Sequence, residues 1–313
     1  MIRSLSLLGL GLAAALSAQV KITSHGPSQV AVEIDGKPFT TLFTGPETTK
    51  PYLHPLRSAS GVIVTRMYPM EKKQGDSTDH IHQRGLWFTH GDVNGLDFWA
   101  NDPTQQGPKK GRVQLKKLGE LKSGKKTGSI SATFDWVDAD GKLLLTEDRT
   151  MTFHADPKLR IVDFDVTFTG VEKSHFGDTK EGFFAIRLAE ELIGKRNGKM
   201  VNAAGKAGEK EVWGKASPWV DYSGQVEGQP LGIAIFDHPS NPKHPTYWHS
   251  RDYGLFAANA FGEHDFFNDK SRDGGMTLAP GQKWRFRYRV IIHPGLTADA
   301  GLQAAYNIFS KSK

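Results

Sequence analysis

The chain has 313 residues, 38% hydrophobic and 10% aromatic, with 40 basic against 34 acidic residues and a formal charge of +6. That is long enough to bury a large core and too apolar for a disordered or fibrous chain. It contains no cysteine, which excludes disulfide staples, thiol catalysis and Cys-ligated metals.

The N-terminus sets Arg3 before an apolar run, Leu5 to Leu16, that ends in Ser17-Ala18-Gln19. The run is too short to span a bilayer and reads as a secretory signal cleaved near Ala18, so residues 1–18 are expected to be lost on export to the periplasm or the medium. No later run approaches the apolar length a membrane span needs, so no stable membrane insertion is expected.

Residues 19–313 then follow period-two patterns almost throughout. "QVAVEIDGKPFTTLF" sets Val30, Val32 and Ile34 on one face and turns at Asp35-Gly36, which predicts a β-hairpin. The run Gly107–Lys126 alternates Val113, Leu115 and Leu118 with lysines and predicts a solvated hairpin whose charges deter edge pairing. It carries no aromatic residue, and nucleic acid is set aside as a partner. "GSISATFDWVDADGKLLLTEDRTMTFHA" turns at Asp140-Gly141, and "LRIVDFDVTFTG" and "WRFRYRVIIHPG" continue the alternation. The sum predicts one all-β domain, a large antiparallel β-sandwich, closed by a short C-terminal helix between Ala298 and Lys311.

The chemistry concentrates in two segments. In "TDHIHQRGLWFTHGDVNGLDFW" an extended Asp79–Arg84 would place His80, His82 and Arg84 on one face. Trp87 and His90 follow in alternation, and a turn-rich loop presents Asp92, Asn94 and Asp97. The second segment repeats a His-x-Arg spacing at His249 and Arg251, followed by Asp252. Its Pro-rich lead, Pro239–Pro245, reads as a rim loop whose His238 and His244 need be no more than surface residues. Imidazole, guanidinium, carboxylate and indole groups together suit a polyol: indoles cover C–H faces while forked charged groups exchange paired hydrogen bonds with hydroxyls.

These segments, with "YLHPLRSASGVIVTR" from Tyr52 and "GIAIFDHPSNPKHPTYWHSRDYGLFAANAFG" from Gly232, resemble the PmoA-like family of exported bacterial proteins. The resemblance covers nearly all of the chain beyond the signal. By analogy with aldose epimerases it implies a β-supersandwich with a cleft on its concave sheet.

The expected function is acid–base chemistry of epimerase, lyase or hydrolase type on a sugar, without a cofactor. His82 and His249 supply imidazoles, and Glu190 is the carboxylate because it shares parity with the apolar row Phe184, Ile186, Leu188. His80, Arg84, Trp87, His90, Asp92, Asn94, Arg251 and Asp252 are the expected substrate contacts. Two alternatives stand beside this. One is a metal site on His80 and His82 with His90 or Asp92 as third ligand, opposed by the fixed charge of Arg84. The other is a glycan-binding module without catalysis.

Overall fold

The computed structural model describes residues 19–312; the expected signal, residues 1–18, lies outside them. Two antiparallel sheets of eight strands each carry the fold. In chain order the strands are β1 (Val20–Ser24), β2 (Gln29–Ile34), β3 (Lys37–Phe43), β4 (Tyr52–His54), β5 (Leu86–His90), β6 (Arg112–Lys122), β7 (Thr127–Val137), β8 (Leu143–His154) and β9 (Arg160–Gly170). They continue as β10 (Ser174–Phe176), β11 (Gly182–Arg187), β12 (Lys199–Asn202), β13 (Trp219–Val226), β14 (Gln229–Asp237), β15 (Tyr247–Ser250), β16 (Leu255–Asn259), β17 (Met276–Leu278) and β18 (Lys283–Pro294). The first sheet runs β1-β2-β3-β4-β5-β11-β16-β15 and the second β12-β13-β14-β18-β9-β8-β7-β6, while β10 and β17 form a separate pair. This is the large antiparallel sandwich the alternation predicts.

Local chemistry explains the hairpins. Asp35 and Gly36 hold positive φ between β2 and β3, the geometry a two-residue turn needs to match strand twist. The lysine-rich run is β6, an outer strand of the second sheet paired with β7. The expected C-terminal helix is shorter than its pattern, α3 (Leu302–Phe309), which lays Leu302, Tyr306 and Phe309 on Trp219 and Phe236 of the second sheet. Two single-turn helices, α1 (Glu209–Val212) and α2 (Glu263–Phe266), sit in connections.

The core lies between the two large sheets. Phe184 of β11 stacks on Tyr288 of β18 with centroids 4.6 Å apart, and Phe88 of β5 meets Phe168 of β9 at 5.6 Å. Such aromatic pairs add ~0.5–1.5 kcal/mol each beyond the area they bury. Because successive strand residues alternate faces, the inward Phe88 and Phe184 leave Trp87 and Ala185 on the outer face of the first sheet, where the site is built. Among the described residues no helix is long and apolar enough to cross a membrane.

Candidate functional site

One row of cross-strand neighbours runs over that outer face: Phe43, Tyr52, Trp87, Ala185, Ala257 and His249. The two alanines at its centre are fully buried. Trp99, from the loop after β5, leans on Trp87 with centroids 5.0 Å apart, and Tyr52, Trp87, Trp99, Ala185, Leu255 and Ala257 form a small apolar cluster of their own.

Residues 79–84 do not extend as the sequence suggests. His80 takes φ 44°, the Gln83 amide donates to its carbonyl at 2.9 Å, and the segment is a turn. The cause is tertiary. Buried Arg66 donates to the carbonyls of Asp79 (2.9 Å), His80 (3.1 Å) and Gln83 (3.3 Å), gathering three carbonyls that a strand would hold apart. Arg66 and Arg187 also both donate to Asp79 Oδ1, at 2.7 and 2.8 Å. Burial pushes the Asp79 carboxyl up, but Arg187, His80 and Arg66 outweigh it and hold it below its ordinary range. Its Oδ2 lies 3.0 Å from His80 Nδ1; an ionised carboxylate has no proton to give, so the imidazole proton sits on Nδ1 and Nε2 is left as acceptor. The His80 ring lies flat on Tyr253, 5.0 Å away and 3° from parallel, and Arg187 backs Tyr253 at 4.8 Å.

His80 and His82 line a cleft of about 270 Å³ with Gly91, Asp97, Trp99, Ala100 and Glu181. Glu181 enters it because Gly91 donates to its carbonyl at 2.7 Å, and a Cβ at Gly91 would lie 2.7 Å from the Glu181 Cβ. Burial pushes the Glu181 carboxyl up; Lys180 and His80 oppose the shift and Asp97 and Asp265 add to it. Asp97 Oδ1 accepts from the amides of Trp99 and Ala100, both at 2.8 Å, and its Oδ2 accepts from Lys110 at 2.7 Å. Beneath the cleft, buried Lys50 donates to the Trp99 carbonyl (2.5 Å) and Asn101 Oδ1 (2.7 Å). Burial lowers its pKa to about 7, with Asp97 and Asp102 opposing and Arg84 and Lys110 adding.

The other expected site residues are placed elsewhere or differently. His82 reaches the cleft, yet burial, with help from Lys50 and His80, lowers its pKa to about 3, so it stays neutral and is a weak base. Arg84 does not share a face with the histidines: it is paired to buried Asp102 and packs over Tyr52. Trp87 is floor, not lining. His90 turns away among Phe176, Phe183 and Phe261 with Nε2 at 2.8 Å from the Gly177 carbonyl, and burial lowers its pKa to about 4. It cannot complete a metal set with His80 and His82, and among the described residues no group of three or more His, Asp or Glu could hold an ion. Asp92 accepts from Gly95 and Asn94 clasps β10 through the Lys173 carbonyl and His175 amide, so both brace a loop.

Glu190 is not on an inward strand row. β11 ends at Arg187, and Glu190 opens a 3-10 turn in which its Oε1 accepts from Ser77 N (3.0 Å) and Oγ (2.6 Å). It pins the segment that carries Asp79. His249 shares the sheet face but lies three strands from Trp87; its Nδ1 meets the Lys180 carbonyl at 2.7 Å and burial lowers its pKa to about 3. Arg251 and Asp252 fall in the turn after β15, outside the His80 cleft. In the Pro-rich lead, His244 Nδ1 and the Thr246 amide bind fully buried Asp237, a structural clasp. Sequence reasoning missed Glu181, Lys50 and the Asp79 clamp; their roles depend on strand register and distant partners, which leave no local signature.

Residues 29–307 match the model of a family described as a family of unknown function (DUF6807). This corrects the PmoA-like resemblance, which that match does not bear out. No match among curated proteins was found. Structures of similar outline include a galactose mutarotase-like protein from Clostridium acetobutylicum (10% identity, TM-score 0.44, 88% of this chain and 98% of that one). Galactose 1-epimerase from Lactobacillus acidophilus (9%, 0.41, 90% and 100%) is another. A third is an α-galactosidase from Lactobacillus brevis (8%, 0.43), of which 88% of this chain covers only 39% of the length.

Proposed function

The chain belongs to the DUF6807 family of unknown function, and on that footing we propose that it is an exported carbohydrate-active enzyme working by acid–base chemistry on a sugar ring. The observation that carries this is the clamp on His80: two buried arginines fix Asp79, and Asp79 fixes the tautomer of an imidazole that faces the same cleft as Glu181. A positive φ at a non-glycine residue is held only where the surroundings enforce it, and such positions gather at functional sites.

The division of labour follows from the proton positions. His80 Nε2 takes a proton from the ring or its hydroxyl, and Asp79 stabilises the imidazolium that forms. Glu181, pushed up by burial, holds a proton nearer neutrality than an exposed carboxylate does and delivers it to the oxygen or carbon that gains charge, so protons balance over the step. Asp97 gives an acceptor for a hydroxyl.

The test is turnover of a panel of aldoses, keto-sugars and uronic acid glycans by the chain and by Glu181→Gln and His80→Gln. Each substitution should lower kcat by about 10²–10⁴, the usual worth of a general acid or base, with the melting temperature retained. Turnover that survives both overturns the proposal, and binding without turnover assigns the cleft to a glycan-binding module.

A further inference from the structure

We infer that the site continues past Tyr253 into a second subsite built on Trp213, Arg251 and Asp252, so that the substrate spans at least two sugar units; this rests on the sugar reading above. Glu209, Lys210, Trp213, Arg251 and Asp252 line a shallow cleft of about 450 Å³. Tyr253 follows Arg251 and Asp252 directly in the chain and stacks on His80, which lines the first cleft. Tyr253 thus joins Asp252 of the second cleft, through the chain, to His80 of the first, on which it stacks.

The second cleft is pre-arranged. Arg251 Nε lies 3.1 Å from Glu209 Oε1, and the Asp252 amide donates to Glu209 Oε2 at 2.7 Å. Trp213 is held edge-on by Phe266 at 5.5 Å, with the Arg251 guanidinium 5.8 Å from its ring centre. An indole fixed among both signs of charge offers a face for C–H groups and a rim of hydroxyl partners. The balance of two carboxylates against Arg251 and Lys210 suits a neutral sugar unit better than a charged one. Size points the same way. Small-molecule sites usually enclose roughly 300–1,000 Å³; the first cleft alone, 270 Å³, falls short of that range, and with its neighbour it falls within it.

The experiment is calorimetric titration of the chain with matched pairs: glucose and cellobiose, galactose and β-1,4-galactobiose, xylose and xylobiose, mannose and β-1,4-mannobiose. In any series that binds, the disaccharide should bind at least tenfold tighter than its monosaccharide. Trp213→Ala should abolish that gain without altering the affinity for the monosaccharide, and Asp252→Asn, at an exposed position that leaves the fold intact, should reduce it. Equal affinity for both members of a binding pair, or a gain that survives both substitutions, overturns the second subsite while leaving the first cleft standing. Failure of every sugar to bind, or binding indifferent to His80→Ala, overturns the sugar reading and the subsite with it.

Discussion

In the proposed reaction His80 depends on the geometry that its neighbours impose. A left-handed backbone at a non-glycine residue costs on the order of 1–3 kcal/mol, and the Arg66 donors to the carbonyls of Asp79, His80 and Gln83 offset it. Asp79 is the pivot, because one carboxylate oxygen serves the arginines and the other the imidazole. Asp79→Asn keeps the shape but replaces one oxygen by a donor. If the amide oxygen stays with the arginines, its NH₂ faces His80 Nδ1, and the imidazole proton moves to Nε2, where the acceptor is needed. Turnover should fall by about 10²–10⁴, the scale on which acid–base catalysis contributes, and the acidic limb of the pH–rate profile should shift, while sugar binding persists. A merely structural Asp79 would lose binding and melting temperature together and leave the profile of the residual activity in place.

At the scale of elements, the parts that could be read from sequence are those decided locally. Asp35-Gly36 and the segment around Gly141 turn because their backbones must take positive φ, and β9 alternates because one of its faces is core. The same alternation predicts an extended 79–84, and the structure differs because Arg66, more than ten residues upstream, dictates the conformation there. Glu181 enters the cleft through the register of β5 with β11, where Gly182 pairs with His90; periodicity within a single strand carries no register. Parity points correctly to an inward Phe184 and Ile186 but carries no sign of where β11 stops, so it cannot show that Glu190 leaves the strand to hold Ser77. β7 and β8 hide a further element-scale device: buried Glu147 accepts from Trp136 Nε1 at 2.8 Å and from Arg149 Nε at 2.6 Å. Glu147→Leu strands a buried guanidinium and should cost about 3–5 kcal/mol by denaturant unfolding. Glu147→Leu with Arg149→Met should recover part of that loss, since an apolar pair avoids the desolvation of both charges while the Trp136 indole N–H stays unpaired. A double substitution as damaging as the single one would show that the pair is worth more than its burial costs.

For the whole molecule, the same burial that shapes the site makes the fold sensitive to acid. Burial lowers the pKa of His54, His82 and His249 to about 3 and that of His90 to about 4, and it moves His238 in the same direction. An unfolded histidine takes up its proton near pH ~6.5, whereas these four refuse it until far lower, so over the interval the unfolded chain binds more protons than the folded one. Stability is therefore fully present above pH ~6.5 and is lost as pH falls towards 4, at about 1.4 kcal/mol per pH unit for each such group. His293 works the other way: burial lowers it, but Asp221 outweighs burial and raises it, so its contribution is present in acid and lost as pH rises. Asp79 and Asp163, held below the ordinary carboxylate range, weaken the fold only at still lower pH. The free energy of unfolding, measured in denaturant from pH 8 to pH 4.5, should be nearly flat above pH 7 and fall below pH 6 with a slope of two or more protons. His90→Phe, placed among Phe176, Phe183 and Phe261, should reduce that slope by close to one proton. A flat profile between pH 6 and 4.5, or one that rises, would mean that these histidines are protonated in the folded chain.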